Sequence, residues 1–162
     1  VVIITEAPIS PESIVSQAKT DESGCVVTYV GLIRESSRGK PVTSVEYRDP
    51  LGRAEKGLQE IAASAQQSWP ISNIIICHRT GKLKVGDINL VVAVASAHRK
   101  EGFAACQYII DQFKEKPPTH KVETYQDGST FTQGAKVTTS GASPHTEPAP
   151  LATPEPDYRA ED

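Results

Sequence analysis

Two short, almost purely apolar runs, Ile74-Ile75-Ile76-Cys77 and Leu90-Val91-Val92-Ala93-Val94-Ala95, constrain most strongly what this chain can fold into. They are rich in β-branched residues and separated by the Thr80-Gly81-Lys82 and Val85-Gly86-Asp87 turns, which is the composition and punctuation of strands rather than helices. Neither run leaves a polar face for water, so both are expected as buried strands. Neither approaches the roughly 20 apolar residues a membrane span needs; even the stretch from Ile88 to Ala97 contains Asn89 and Ser96.

Other segments supply partners for these strands. Cys25 to Ile33 reads as a strand, with Gly24 at its start and Gly31 marking a bend or close backbone approach. Val42 to Arg48 alternates with strand periodicity. A short helix should begin at Ser10-Pro11-Glu12 and end near Thr20. A second should open at Asp49-Pro50, carry Leu51, Ala54, Leu58, Ile61, Ala62 and Ala65 as an apolar stripe, and stop at Trp69-Pro70. A third should be capped by Ser96, bury Phe103, Cys106, Ile110 and Phe113, and end at Pro117-Pro118. A strand from about His120 to Tyr125, an Asp127-Gly128 turn and a return through Phe131 complete the pattern. The order α-β-β-α-β-β-α-β-β is that of a mixed α+β domain with three main helices.

The 162 residues, 38% hydrophobic and 23% charged, suit one domain. We place it at residues 1–133. Residues 134–162 hold Pro144, Pro148, Pro150, Pro154 and Pro156 among Ser, Thr, Ala and Glu, an acidic tail expected to be disordered. Its Glu147, Glu155, Asp157, Glu161 and Asp162 against Lys136 and Arg159 account for the net charge of -3, leaving the domain charge-balanced, which argues against a general nucleic-acid surface. The start at Val1 lacks the order of a secretory signal, and a cytoplasmic, membrane-free protein is expected. Cys25, Cys77 and Cys106 form no close-spaced pair and read as buried free thiols. Dinucleotide and triphosphate glycine motifs are absent. His78, His98 and His120 show no metal-ligand spacing, so no metal is expected.

The chemistry should lie in cations at element ends. Arg34 closes the strand from Cys25, and His98 and Arg99 stand in the first turn of the third helix. Positive charge is unfavourable there unless an anion is bound at the free N–H groups; a solvated helix start is the alternative. Lys114 lies at the other end of the same helix and Lys121 beyond the prolines, either as site residues or as ordinary partners of the helix dipole. At about 1.5 Å rise per residue, Arg99 and Lys114 stand roughly 22 Å apart. One pocket in one chain cannot easily hold both, and a twofold dimer with one helix start facing the other's helix end is the simplest shared site.

At these residues the sequence resembles the MoaE family, the large catalytic subunits of molybdopterin synthase. The likeness runs from about Gly24 to Phe131 through Gly24-Cys25-Val26-Val27-Thr28-Tyr29-Val30-Gly31-Leu32-Ile33-Arg34, Glu46-Tyr47, Ala54-Glu55-Lys56, His78-Arg79-Thr80-Gly81-Lys82-Leu83 and Val85-Gly86-Asp87. Its most specific part is Ser96-Ala97-His98-Arg99 with Phe103, Asp111, Lys114, Lys121 and Glu123. The resemblance implies an α/β-hammerhead fold and a homodimer within a heterotetramer. It further implies a small ubiquitin-like carrier (MoaD-like) whose C-terminal Gly-Gly thiocarboxylate donates sulfur to cyclic pyranopterin monophosphate, forming the dithiolene of molybdopterin without a further cofactor. Carried over by position, Arg34, His98 and Arg99 would hold phosphate and pterin, Leu32 and Ile33 would line the pocket, Val122 and Glu123 would join the substrate site, and Lys114 and Lys121 would be catalytic. One departure stands out. Where the family commonly has an aromatic residue before the second lysine, in a Pro-x-Trp-Lys pattern, this chain has Pro118-Thr119-His120-Lys121. His120 is then either a hydrogen-bonding group in the site or a solvent-facing strand residue. A dimeric anion- or pterin-binding module without catalysis remains the alternative reading, and a phosphohydrolase using His98 a more remote one.

Overall fold

The computed structural model describes residues 1–134; the tail expected to be disordered lies, from Ala135 on, outside the described residues. Its elements run β1 (Val2–Thr5), α1 (Pro11–Ala18), β2 (Cys25–Leu32), β3 (Ser36–Ser37), β4 (Lys40–Arg48), α2 (Ala54–Ser68), β5 (Ile71–Arg79), β6 (Gly81–Lys84), β7 (Ile88–Ser96), α3 (Arg99–Glu115), β8 (His120–Tyr125) and β9 (Thr130–Gln133). This is the expected mixed α+β architecture with three helices. Among the described residues no helix is long and apolar enough to cross a membrane.

The two apolar runs become the middle of a four-stranded sheet ordered β1-β5-β7-β2. Strand side chains alternate between faces, and both faces are covered. Ile74, Ile76, Leu90, Val92 and Val94 pack on Leu58, Ala62 and Ala65 of α2 and on Ala105, Ile109 and Phe113 of α3. Ile75, Cys77, Val91 and Ala93 face the other way, under Ile9 and under Ile14 and Ala18 of α1. Each such isoleucine or valine stabilises by about 1.5–3 kcal/mol on full burial. That tertiary contact, more than helix propensity, holds α2 and α3 in place.

The second sheet runs β3-β4-β8-β9, with β6 on the other edge of β4. Its small core is Ile33, Val42, Val45, Tyr47, Leu83 and Tyr125, with Phe131 half-buried against them. β2 runs antiparallel to β7 along the edge of the first sheet, and its pairing shifts register between Gly31 and Leu32. There the chain leaves toward the second sheet, so Arg34 emerges between the two.

Several local expectations are corrected by pairing or capping that the sequence pattern does not encode. Val2–Thr5 is a strand because it lies parallel to β5, Val2 opposite Ile76. The polar stretch from Glu35 to Pro41 forms the β3–β4 hairpin, and Gly81 and Lys82, expected in a turn, begin β6 against Tyr47 and Glu46. The second helix starts at Ala54 and not at Asp49-Pro50. The Asp49 carboxylate accepts from the N–H groups of Arg53 and Ala54 at 2.9 and 3.2 Å, capping the helix across a turn and leaving Leu51 68% exposed, outside the stripe. The first helix ends at Ala18, short of Thr20. Ser96 is the last residue of β7; its hydroxyl donates to the His98 carbonyl at 2.7 Å, and His98 itself occupies the cap position of α3. Phe103, expected to face inward, is 62% exposed.

Gly102 lets α3 approach β2 and β7. A methyl group on it would stand 2.7 Å from Ser96 Oγ and 3.0 Å from Val27 Cγ2. Replacing a helical glycine by alanine gains about 1 kcal/mol intrinsically, but overpacking of this kind costs about 1–3 kcal/mol. Gly102→Ala is therefore expected to lower the urea unfolding midpoint; a higher midpoint would mean that α3 can draw back from the sheet freely.

Candidate active site

Between the two sheets, where α3 ends and β8 begins, lie two adjoining clefts of about 210 and 120 Å³. Tyr47, Asn89, Lys114 and Lys121 belong to both, so they form one site divided by these side chains. The smaller part is lined by Leu32, Ile33, Arg34 and Glu123, the larger by Phe113, Pro117, Thr119 and Gln133. The fold thus brings six residues anticipated from sequence, Leu32, Ile33, Arg34, Lys114, Lys121 and Glu123, to one place. Leu32 and Arg34 are exposed and Ile33 is buried, so an apolar wall stands beside a solvent-facing guanidinium. Arg34 and Lys114 make no ion pair among the described residues.

Lys121 is held differently. Its ammonium lies 3.1 Å from Glu123 Oε1, and Tyr125 donates its hydroxyl to Glu123 Oε2 at 2.6 Å. Lys121 and Glu123 are two apart on β8 and share a face. Val122, between them, pairs with Glu46 and Thr132 in the ladder and lines neither cleft. Burial alone would raise the Glu123 carboxyl. Hydrogen bonds from Tyr125, Ser37 and Lys121, with the Lys121 charge, outweigh it and hold the group below the ordinary glutamate value.

The floor of the site is a polar chain that sequence reading missed. His78 is fully buried. Its Nδ1 lies 2.8 Å from the Asn89 carbonyl, which can only accept, so Nδ1 carries the proton and Nε2 accepts from the Thr119 hydroxyl at 3.0 Å. Burial pushes the His78 pKa down despite the bond to Asn89, consistent with a neutral ring. Tyr47 and Phe113 meet that ring edge-on, at centroid distances of 4.9 and 5.2 Å. The Asn89 side chain donates to Tyr47 Oη at 2.8 Å, and burial raises the Tyr47 phenol to about 12, so it stays protonated at neutral pH. Asn89 Oδ1 sits against the Gly31 backbone, where a Cβ would come within 2.7 Å; this is the close approach anticipated at that glycine. A signal for Asn89 did exist, as a polar interruption of an otherwise apolar buried strand.

His98 and Arg99 are not in this site. They line an open depression at the start of α3 with Gly24, Cys25, Ala97, Lys100 and Phe103, at the opposite end of the helix from Lys114. His120 lines neither cleft; it is half-buried against Gly134. Cys77 and Cys106 are buried, their thiols raised by desolvation, Cys106 to about 11, while Cys25 is half-buried. Among the described residues no group of three or more His, Cys, Asp or Glu side chains is placed to hold a metal ion.

Fold and site together define an α+β domain with a small cleft walled by cations on one side and apolar side chains on the other. The family model described as MoaE protein matches residues 4–116. The chain is 42% identical over 127 residues, 78% of its length and 77% of the relative's, to the molybdopterin synthase catalytic subunit of Nostoc sp., and 37% identical over 108 residues to that of Homo sapiens, 67% and 57% of the two chains. The crystal structure of molybdopterin synthase from Staphylococcus aureus superimposes with a TM-score of 0.75 at 33% identity, covering 82% of this chain and 96% of that one. The chain belongs to the MoaE family. At 14% identity, the protein–protein complex of subunits 1 and 2 of the molybdopterin-converting factor from Helicobacter pylori shares the fold, with a TM-score of 0.64 over 84% of this chain and 90% of that one.

Because Glu123 titrates lower in the folded chain than its unfolded value of about 4.3, its charge stabilises the fold above that pH, and the contribution is lost as pH falls through the folded value. Glu123→Gln is expected to lower the urea midpoint at neutral pH, with the difference from wild type shrinking below about pH 4. An equal difference at all pH values would show that the charge contributes nothing.

Proposed function

We propose that this chain is the catalytic subunit of a molybdopterin synthase, a sulfurtransferase. It transfers sulfur from the C-terminal Gly-Gly thiocarboxylate of a small ubiquitin-like carrier to cyclic pyranopterin monophosphate, forming the dithiolene of molybdopterin with no further cofactor. The observation that carries this reading is the convergence of Arg34, Lys114 and Lys121 on one cleft beside Leu32 and Ile33 in a chain of the MoaE family. Both reactants are anionic, and the reaction opens a phosphate ring, so positive charge must meet the sulfur donor and the leaving oxygen. Lys114, exposed and in no ion pair among the described residues, positions the thiocarboxylate and stabilises charge developing during attack on the substrate side chain. Lys121, fixed by Glu123, assists proton transfer or the leaving group. Ile33 and Leu32 offer an apolar wall to the pterin.

His98 and Arg99, which the resemblance assigns to the phosphate and pterin with Arg34, stand at the far end of α3. A homodimer within a heterotetramer, with His98 and Arg99 of the partner subunit completing each cleft, resolves this. The edge position of β2, with Val30 and Leu32 exposed on it, and exposed Phe103 beside His98 and Arg99 are surfaces such a dimer would cover.

The test is to mix the purified protein with a thiocarboxylated carrier and cyclic pyranopterin monophosphate and to assay molybdopterin. Wild type is expected to form product, with Lys114→Ala slower by about a hundredfold or more, the scale of losing one charge-stabilising group. Binding of the carrier without product would favour a non-catalytic module, and phosphate release without sulfur a hydrolase. Sharing of the cleft is tested by mixing subunits. Lys114→Ala and Arg99→Ala homodimers should each be impaired. Their hybrid contains one cleft with both residues intact, so subunit exchange should restore about a quarter of wild-type activity. No recovery after demonstrated exchange would rule out a shared site.

A further inference from the structure

The buried His78 lies behind the cleft, and two of its neighbours, Thr119 and Phe113, belong to the segments that carry the two lysines. Its Nε2 takes the hydrogen bond of Thr119, two residues before Lys121. Its ring edge packs on Phe113, the residue before Lys114. Its Nδ1 proton is fixed on the backbone of Asn89, and Tyr47 closes the remaining side.

The segment between the two lysines needs such a tie. After α3 ends, Pro117 and Pro118 lack backbone N–H groups, so neither can donate a hydrogen bond to anchor the connection. β8 begins only at His120. Thr119, 4% exposed, stands between, and among the described residues its hydroxyl bond to His78 is the one side-chain hydrogen bond made by residues 116–120. A hydroxyl whose proton is committed to a buried imidazole has one preferred rotamer, and the backbone that carries it is fixed in turn. We propose that His78 and Thr119 form a positioning pair that sets the placement of Lys121, and through Phe113 that of Lys114, against the bound substrate. The inference rests on the sulfur-transfer reading for its kinetic consequence, but the geometry it describes can be measured without turnover.

Thr119→Val keeps the shape of the side chain and removes the donor, leaving His78 Nε2 buried and unpaired; Thr119→Ser restores the donor. In the synthase assay Thr119→Val is expected to lower kcat by about tenfold to a hundredfold, the effect of displacing a catalytic group by about an ångström. KM for cyclic pyranopterin monophosphate should stay within about threefold, since Arg34 and the apolar wall are untouched, and Thr119→Ser should recover most of kcat. A general loss of folding would raise KM as well and would not be repaired by serine.

The second readout is the rate at which Lys121 is acylated by a small amine-reactive reagent, followed by peptide mass spectrometry with exposed Lys56 as internal reference. Thr119→Val and His78→Leu should each change the Lys121 to Lys56 ratio by about threefold or more as the Lys121–Glu123 geometry relaxes, while Thr119→Ser leaves it near wild type. Unchanged labelling in folded Thr119→Val and His78→Leu overturns the pair whatever the assay shows. An inactive wild type whose variants show the labelling change overturns the sulfur-transfer reading alone, and an active wild type with kcat unchanged in Thr119→Val overturns the pair alone.

Discussion

The antiparallel pairing of β5 with β7, apolar on both faces, is the constraint on which the rest of the structure depends. Ile75 registers with Ala93 and Ile76 with Val92, so each residue pair supplies one face of the sheet. A strand pair without a polar face cannot lie at a surface. It requires α2 and α3 on one side and α1 on the other, and once those helices are docked both ends of α3 have fixed positions. The cation at its C-terminal end then faces the second sheet, while the pair at its N-terminal end faces away.

The cleft is built where the two sheets part, from groups that tolerate opposite surroundings. Lys114 and Arg34 are exposed and make no ion pair among the described residues, which leaves their charge facing solvent. Lys121 is paired with Glu123, which holds it in place while reducing its net field. Behind them the Thr119–His78–Asn89–Tyr47 chain is neutral and, but for half-buried Asn89, buried, each link with a defined donor and acceptor. Charge at the mouth and neutral polarity beneath, in which Asn89 Oδ1 has no hydrogen-bond partner among the described residues, avoid burying an unpaired ion, which would cost several kcal/mol.

Much of this was legible in the chain. The two central strands follow from composition and bounding turns, because an apolar run too short for a membrane has few other stable places. The three helices follow from proline and periodicity, and Arg34, Lys114 and Lys121 from their positions at element ends. What escaped the sequence depended on distant partners. Four residues at Val2–Thr5 become a strand only beside Ile76; Gly81 and Lys82 become a strand only beside β4; Phe103 looks inward by spacing, but the helix turns it outward. The polar floor was hidden for the same reason, since His78, Asn89 and Thr119 come from three separate segments and none forms a recognisable local motif.

The sequence by itself determined the class of fold, the inventory of cations and the wide separation of Arg99 from Lys114 along one helix, because these depend on local periodicity, composition and the fixed rise of an α-helix. The tertiary structure decided which cations share a cleft, that Lys121 is tied to Glu123 while Lys114 is exposed to solvent, and that a buried histidine stands behind the cleft. Those outcomes depend on which strand edges meet and which side chains lose water together, and such long-range pairings are fixed only when the whole chain has packed.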